Sequence, residues 1–415
     1  MANNYPVIVV GAGPVGLLTA LKLARQQIKV AVLDQSPSTN DSPRAILYGL
    51  PAVKVLHQAG VADELRAAGY TPTRVSWRKL GGEIMARLDI TYPEKVQDRT
   101  LVLPVGELTS ILYQSVLKEP TATVLFNHKI TSIKQSNDKA VLNVTVGEAG
   151  NTVDNDRQAI FEADYVVACD GASSIIRKSL FQNEFPGMTW EKPLIATNLR
   201  FHFDLNSLDY DDANFIHHPE HGHLLARIDK TDLWRVAYVD EPNLSPEEYR
   251  ARLPEKMKIM LPGNPDPDQY TVVAMNPYRV HQRLAPSFRV GRFLLAGDAA
   301  HLNSPFGGLG LTTGIVDAGA VSDCVGAVLS GKADETILDK YNEIRRDLFI
   351  NESDKWSRIN YLRVTDPDPE TLLERDRFLQ TMNAVKGDPA MIEKLKEIEM
   401  AIYHDFTAYY KQASE

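Results

Sequence analysis

Residues 11–16 form the first group whose types and spacing could do chemistry. They read GAGPVG, after the β-branched run 7–10 and before a helical pattern over 17–26. Such glycines permit a tight turn and bring the backbone close to a pyrophosphate, which the helix N-terminus stabilises. Asp34 ends the next apolar run, where its carboxylate can accept hydrogen bonds from ribose hydroxyls. The pattern predicts a dinucleotide site without separating FAD from NAD.

Residues 297–310, GDAAHLNSPFGGLG, form a second group. The apolar run 292–296 delivers Asp298 to a strand end, where a carboxylate can bind the ribityl hydroxyls of a flavin. The glycines expose backbone N–H groups at the start of a helix, which suit the electron-rich N1–C2=O edge of a reduced flavin. A capped helix after a strand would not require so many glycines. The cofactor-binding residues predicted from the two groups are Gly11, Gly13, Gly16, Asp34, Gln35, Gly297, Asp298, Gly307, Gly308, Gly310 and Leu311.

The elements around these groups predict an α/β fold. A helical pattern connects the buried strands 7–10 and 30–33, which makes a βαβ unit and opens a doubly wound sheet. Residues 165–168 are a further buried strand, and it runs into the sequence CDG at 169–171. Between residues 194 and 239, short strand patterns with polar breaks predict a mostly antiparallel sheet.

Composition and charge exclude several classes of function. The 415 residues carry a formal net charge of −9, which argues against nucleic acid or an anionic membrane as the main partner. The two cysteines, Cys169 and Cys324, lack metal-ligand spacing, so we expect no metal site and a reducing compartment. Residues 7–10 are too short for a signal peptide, and residues 304–316 are too short to span a bilayer. We therefore expect a cytoplasmic protein without stable membrane insertion.

With residues 169–171, the two glycine-rich groups resemble the three fingerprints of the class A flavoprotein monooxygenases, the para-hydroxybenzoate hydroxylase-like family. Their order and spacing match over roughly residues 5–350. The resemblance implies a Rossmann-like FAD-binding domain of the GR2 type, an inserted, mostly antiparallel β-sheet domain for the substrate, and C-terminal helices. The implied domains are 1–73, 98–185 and 275–350 for FAD, 74–97 and 186–274 for the substrate, and 351–415 for the C-terminal helical segment.

The resemblance also implies a reaction. Non-covalent FAD would be reduced by NADPH or NADH, and dioxygen would then give a C4a-hydroperoxide that hydroxylates a phenolic or polyketide-type aromatic ring, as in secondary metabolism. The same fold could instead carry out epoxidation, oxidative dearomatisation or ring opening, and this alternative stays open. An alternative from another functional class is a flavin-binding regulatory protein without turnover. A flavin that NAD(P)H never reduces would favour this alternative.

Further site residues come from the resemblance alone. It places Arg44 beside the isoalloxazine and the carbonyl of Pro305 at the substrate edge. It places Asp170 and Gly171 near the FAD pyrophosphate and the path of NAD(P)H. Val105 stands where relatives often have Gln or Arg in contact with the flavin, so we expect a more loosely held flavin.

The middle sheet supplies the remaining candidates, because a base or a cation near a phenol hydroxyl favours the more nucleophilic phenolate. Arg200 and His202 alternate along one strand and therefore share a face. Other polar residues lie on later strands of the same region. The predicted catalytic residues are Arg44, Pro305, His202, His217, His223 and Tyr238, and the predicted substrate contacts are Arg200, His202, His217, His223, Arg227, Tyr238 and Pro305.

The end of the chain shows helical spacing over residues 391–410. The polar face of this pattern mixes glutamate and lysine and lacks the basic bias that binding to anionic lipids requires. We therefore expect a helix that packs against the body of the protein or against a second subunit, in a monomer or a homodimer.

Overall fold

The structure is a computed structural model that describes residues 3–39, 46–90, 99–147, 157–202, 208–385 and 388–412. Most of its strands belong to two large sheets, one of eight strands and one of seven. The strands are β1 Asn3–Val10, β2 Val30–Leu33, β3 Leu47–Tyr48, β4 Arg74–Lys79, β5 Ile84–Asp89, β6 Leu101–Val102, β7 Ala122–Leu125, β8 His128–Gln135, β9 Ala140–Val146, β10 Arg157–Ala168, β11 Gly187–Thr189, β12 Leu194–Phe201, β13 Ala213–His217, β14 His223–Arg227, β15 Leu233–Val239, β16 Tyr270–Tyr278, β17 His281–Leu284, β18 Arg289–Val290, β19 Phe293–Leu295 and β20 His301–Leu302.

Helices flank the sheets and form the C-terminal part of the chain. A π-helix covers Phe349–Asp354, and short 3-10 turns cover Pro267–Gln269, Gly297–Ala299, Met400–Ile402 and Phe406–Tyr409. The α-helices are α1 Pro14–Arg25, α2 Leu50–Gln58, α3 Ala62–Ala68, α4 Val105–Leu117, α5 Ile175–Leu180, α6 Pro246–Met260, α7 Leu309–Leu329, α8 Thr336–Leu348, α9 Lys355–Val364, α10 Leu372–Arg375, α11 Arg377–Val385 and α12 Pro389–Glu399.

The first sheet has the strand order β18-β19-β10-β1-β2-β7, and β8 and β9 join it through β10. The strands from β19 to β7 run parallel to one another. Val7, Ile8 and Val9 are fully buried, as expected for a parallel strand that is covered on both faces. The predicted α/β fold with a Rossmann-like sheet is confirmed. Because the strands are parallel, the loops after β1, β2, β10 and β19 meet at one edge.

The second sheet has the strand order β16-β12-β15-β14-β13-β4-β5 and is antiparallel except between β13 and β4. The predicted mostly antiparallel sheet is therefore confirmed. One face packs on α6 and buries Trp234 and Tyr238 against Met257. The boundary predicted at residue 274 falls inside β16, which stays paired with β12 as far as Tyr278, so the sheet extends past that limit.

The C-terminal part of the chain folds back onto the rest of the protein. Helix α11 packs on β5, where Leu379 and Met382 are buried beside Trp77. Farther along, Phe406 is buried in the core of the first sheet. The expected packing of the chain end against the body of the protein is therefore present.

The prediction of one helix over residues 391–410 is wrong in its extent. Helix α12 ends at Glu399, and a 3-10 turn follows as far as Ile402. Tyr403 is extended, and Asp405 accepts the backbone N–H of Thr407 to start another 3-10 turn. A side chain that satisfies a backbone donor outside the helix stabilises this break, which the spacing of apolar residues does not reveal.

Helix α7 is the one helix among the described residues that is long and apolar enough to cross a membrane. Of its most apolar window, 83% is buried inside the protein, as in the core helix of a globular fold. This helix packs against α1, α2 and α8. Its apolar composition is therefore explained by its central position.

Candidate functional site

A continuous cavity of about 1200 Å³ lies between the two sheets. It is lined by the loops at the carboxyl ends of β1, β2, β10 and β19, by the first turn of α7, and by one face of the second sheet. Pockets for one small molecule usually have roughly 300–1,000 Å³. The cavity therefore has room for a large cofactor together with a second molecule.

The turn after β1 is built for close approach of a ligand to the backbone. Gly11 has φ +105°, and a Cβ atom there or at Gly16 would collide with neighbouring backbone. At Gly13, in contrast, an added Cβ would meet nothing within 4 Å, so the backbone is open to the cavity. The Asp34 carboxylate accepts the N–H groups of Ala12 at 2.6 Å and Ser36 at 2.7 Å. These bonds fix a carboxylate beside the turn, as a ribose site requires.

Asp170 follows β10 and lines the cavity beside this turn. One of its carboxylate oxygens accepts the N–H of Ile175 at 2.8 Å, while Oδ1 is buried without a hydrogen-bond partner among the described residues. Burial raises the pKa of Asp170, against the opposing effect of its hydrogen bonds. A buried acceptor without a donor fits a ligand that brings hydroxyl or amide donors.

The turn after β19 presents Asp298 to the cavity and is held from behind by Asp317. The Asp317 carboxylate accepts the N–H of Gly297 at 3.0 Å, Nε2–H of His301 at 2.6 Å and Nε–H of Arg345 at 2.8 Å. Burial opposes ionisation, but Arg345 and His301 outweigh it and hold the pKa of Asp317 below its ordinary value. This buried network fixes the backbone that carries Asp298.

The first turn of α7 opens onto the same cavity. Gly308, with φ +68°, stands at the N-cap, and no side chain caps the helix there. The first N–H groups of a helix lack intrahelical acceptors and attract negative charge. Together with the carboxylate of Asp34, the backbone turn at Gly13 and the carboxylate of Asp298, this uncapped turn fits the ribose, pyrophosphate, ribityl and pyrimidine parts of FAD.

The structure brings most of the predicted cofactor residues to the cavity. Gly16 and Gly297 are buried behind the wall, where they shape the two turns. Arg44 lies outside the described residues. Val105 lines the cavity at the start of α4. The predicted residues that line the cavity are Gly11, Gly13, Asp34, Gln35, Asp170, Gly171, Asp298, Pro305, Gly307, Gly308, Gly310 and Leu311.

The second sheet presents an aromatic cluster to the cavity. Trp77 and Phe215 are stacked with ring centroids 6.0 Å apart and an angle of 11° between the rings. Phe378 of α11 meets Trp77 edge to face at 5.2 Å. Leu224 and Ala237 of the same sheet face also line the cavity. Flat apolar surfaces of this kind favour an aromatic ring as ligand.

His217 and Arg235 are two of the polar side chains on this face of the sheet. Nδ1 of His217 lies 2.8 Å from the carbonyl oxygen of Arg363. Since a carbonyl oxygen only accepts, Nδ1 must carry the proton, and Nε2 of the neutral ring keeps its lone pair. This Nε2 has no partner among the described residues, and burial lowers the pKa of His217 to about 4. His217 is therefore a neutral hydrogen-bond acceptor at pH 7.

Arg235 is the second of these side chains, and its Nε donates to Oδ1 of Asn198 at 3.0 Å. Burial lowers the pKa of Arg235 to about 10, so the guanidinium stays charged at neutral pH. The two residues are two strands and four positions apart in the register, which separates their Cα atoms by about 16 Å in ideal sheet geometry. An acceptor and a cation thus stand on opposite sides of Leu224 on this face, and the stacked rings of Phe215 and Trp77 lie beside them.

Several predicted substrate residues do not line the cavity. His223 and Tyr238 alternate with the residues that do and face the opposite side of the sheet, and so does Arg227. Arg200 has the correct alternation but lies beyond the cavity, and His202 follows the end of β12, where its side chain is 86% exposed and pairs with Asp232. These predictions are corrected because alternation alone gives neither the absolute face nor the position along the strand.

The C-terminal segment contributes side chains that the sequence did not suggest. Its residues on the cavity wall include Arg363, Phe378 and Glu399. No motif surrounds them in the chain, so only the folded contacts identify them. Arg235 was also missed, because its partner Asn198 lies 37 residues earlier in the chain and on another strand. Among the described residues, no group of three or more His, Cys, Asp or Glu side chains is placed to hold a metal ion.

Comparison with known proteins gives close similarities over most of the chain. The family model described as "FAD binding domain" matches residues 4–351. The para-nitrophenol 4-monooxygenase of Pseudomonas sp. (strain WBC-3) is 37% identical over 406 residues, covering 94% of this chain and 98% of the relative. The 6-hydroxy-3-succinoylpyridine 3-monooxygenase of Pseudomonas putida (strain DSM 28022 / S16) is 36% identical over 84% of this chain and 86% of the relative. The crystal structure of p-nitrophenol 4-monooxygenase from Pseudomonas putida DLL-E4 superposes with a TM-score of 0.88 at 35% identity, over 97% of this chain and 99% of that one.

Proposed function

The chain belongs to the FAD-dependent aromatic monooxygenases of class A, and from this premise we propose that its substrate is a single-ring phenol with a second polar group across the ring. As a member of this family the protein is an oxidoreductase that binds FAD and uses NAD(P)H and dioxygen. The observation that carries the proposal is the sheet face on which Arg235 and His217 line the cavity beside an aromatic cluster.

The names of the two curated relatives support this substrate class. One acts on para-nitrophenol and the other on 6-hydroxy-3-succinoylpyridine. In each, a hydroxyl group and a second polar substituent stand at opposite positions of a six-membered ring. This arrangement matches a cavity in which a hydrogen-bond acceptor and a cation stand apart on one sheet face, beside an aromatic cluster.

In the proposed binding mode, the phenol O–H donates to Nε2 of His217, and Arg235 binds the nitro, acyl or carboxylate group across the ring. Burial lowers the pKa of His217 to about 4, below that of the phenol, so full proton transfer to His217 is unfavourable. His217 is therefore a hydrogen-bond acceptor that orients the hydroxyl and increases its electron density. The Trp77, Phe215 and Phe378 rings hold the substrate ring and exclude water.

The residues proposed to hold FAD are those of the glycine-rich turns. Asp34 would bind the ribose, the turns at Gly13 and Gly171 the pyrophosphate, Asp298 the ribityl chain, and the first turn of α7 the pyrimidine edge. When bound, FAD supplies the reduction by NAD(P)H and the activation of dioxygen. The chain's task is then to position the ring carbon and keep water away from the reacting atoms.

Binding titrations test the proposal by following the absorbance spectrum of the bound flavin. Arg235→Met should weaken 4-nitrophenol about tenfold or more, since a hydrogen bond to a charged group contributes roughly 1.5–3 kcal/mol. It should leave 4-methylphenol nearly unchanged, because that ligand has no polar para substituent. His217→Leu should weaken 4-nitrophenol a few-fold and leave 4-nitroanisole unchanged, because the anisole has no O–H to donate.

Arg200→Met and His202→Gln are matched controls, since Arg200 lies near the end of β12 and His202 directly after it, both outside the cavity. Neither should affect any of the ligands. Equal losses for both members of a ligand pair, or equal losses in the control variants, would show that Arg235 and His217 do not contact the substrate. Product mass after turnover with NAD(P)H then distinguishes hydroxylation from epoxidation or ring opening.

The remaining sequence predictions are part of the same proposal. The partners are a small aromatic molecule and dioxygen, in a monomer or homodimer located in the cytoplasm. The net charge of −9 supports the exclusion of nucleic acid and anionic membranes as partners. Size-exclusion chromatography with light scattering measures the oligomeric state directly.

A further inference from the structure

Glu399 places a carboxyl group at the flavin end of the cavity. It is the last residue of α12 and lies outside residues 4–351, which the family model matches. Its Oε1 accepts the N–H of Leu50, the first residue of α2, at 2.8 Å. Glu399 lines the cavity together with Gly310 and Leu311 of α7.

Gly49 is the point where Glu399 and the first turn of α7 come together. The N–H of Gly49 donates to Oγ1 of Thr312 at 3.2 Å. A Cβ atom at residue 49 would lie 2.5 Å from Oε1 of Glu399 and 3.5 Å from Cγ2 of Thr312. The Glu399 carboxyl group is therefore a close neighbour of the turn that fits the pyrimidine edge of the flavin.

The surroundings of Glu399 contain little that would hold it ionised. Burial raises its pKa, and the N–H of Leu50 offsets only part of that effect. On α2, the Lys54 ammonium lies over the Tyr403 ring at 4.1 Å, and on α12 Lys396 pairs with Glu393 at 3.0 Å. Among the described residues, burial and the N–H of Leu50 are the causes of the change in the pKa of Glu399, and no charged side chain contributes to it. A negative charge arriving nearby would therefore be opposed directly by the carboxylate.

We propose that Glu399 takes up one proton when the bound flavin is reduced. A hydride from NAD(P)H leaves NAD(P)⁺ and gives the anionic reduced flavin. One proton from solvent then converts the Glu399 carboxylate to the carboxylic acid. The flavin gains one negative charge and Glu399 loses one. The uncapped turn of α7 therefore stabilises a single anion both before and after reduction. This role rests on FAD binding and is independent of the proposed substrate.

The midpoint potential of the bound flavin, measured against pH with a redox dye, tests the proposal without turnover. Each proton taken up per two electrons changes the equilibrium between oxidised and reduced flavin tenfold per pH unit, which equals about 30 mV in the midpoint potential. The wild type should show a slope of two protons over part of the range from about pH 5 to 8, because hydride addition requires one proton and Glu399 the other. Glu399→Gln should show the one-proton slope throughout.

Gln keeps an oxygen that can accept the N–H of Leu50, so the start of α2 is preserved. Glu393→Gln, on the exposed side of the same helix, is the matched control and should keep the steeper slope. A one-proton slope in the wild type, or the same slope in the wild type and Glu399→Gln, overturns the proposal. Should Glu399→Gln fail to retain FAD, the absorbance spectrum of the reduced wild type decides: a two-proton slope where the reduced flavin is anionic supports the proposal, and a neutral reduced flavin throughout that range overturns it.

Discussion

The buried network around Asp317 allows a sharp prediction about stability. Asp317→Ala leaves Arg345 fully buried without its carboxylate partner and removes the acceptor of the Gly297 N–H. Breaking a buried ion pair from one side costs about 3–5 kcal/mol, because an uncompensated charge stays behind. We expect a loss of this size in the free energy of unfolding, together with weaker FAD binding, because the turn that carries Asp298 loses its anchor.

Denaturant unfolding followed by circular dichroism measures the loss, and flavin titration measures the binding. The double variant Asp317→Leu/Arg345→Met should lose less stability than Asp317→Ala, because it leaves no buried charge unpaired. Asp334→Ala is the control, since its pair with Lys411 is largely exposed and should contribute at most about 1 kcal/mol. An Asp317→Ala protein as stable as the wild type, or less stable when Arg345 is also replaced, would refute this reasoning.

The same network predicts how stability depends on pH. Folding lowers the pKa of Asp317, so its contribution is fully present above the unfolded value, near 3.9. The contribution is lost as the pH falls through the lower folded value. Asp317→Asn should therefore flatten the acid limb of the stability profile, and an unchanged limb would contradict the assignment.

Three further predictions concern the flavin. Denaturation should release FAD into the supernatant, because no covalent attachment is expected, and yellow colour that stays with the precipitated protein would contradict this. Asp298→Ala should weaken FAD binding about tenfold or more through loss of charge-assisted hydrogen bonds to the ribityl chain, and equal occupancy in a titration would exclude that contact. Val105→Gln should reduce peroxide release during NAD(P)H oxidation without substrate if Val105 lies beside the flavin, and an unchanged or larger release would argue against that position.

The cofactor side of the site was predictable because its chemistry is contiguous in the chain. The turn at Gly11 and the carboxylate of Asp34 belong to one βαβ unit, in which Asp34 accepts the N–H of Ala12 only 22 residues earlier, so their spacing identifies them. The loops then meet because parallel strands bring their carboxyl ends to one edge. The sequence also predicted the antiparallel character of the second sheet, since each of its strands has a local pattern.

The substrate side depends on contacts between distant residues, and the sequence predicted little of it. Arg200 has the correct alternation but lies near the end of β12, past the cavity, and His202 follows the last residue of the strand. His223 and Tyr238 face the other side because the pairing register, rather than the residue type, decides which face is buried. Phe378 comes from a helix 163 residues after Phe215, and no local signal connects the two.

The wall supplied by α11 and α12 has a consequence for synthesis of the protein. Chains fold from the N-terminus as they leave the ribosome, at about 5–20 residues per second. The first sheet needs β19, but Trp77 has its edge-to-face partner only after Phe378 has emerged. Until then the aromatic cluster is uncovered and available for contact with other nascent chains or chaperones. A messenger truncated between the codons for β19 and Phe378 would therefore yield a protein with a complete first sheet and an exposed aromatic surface.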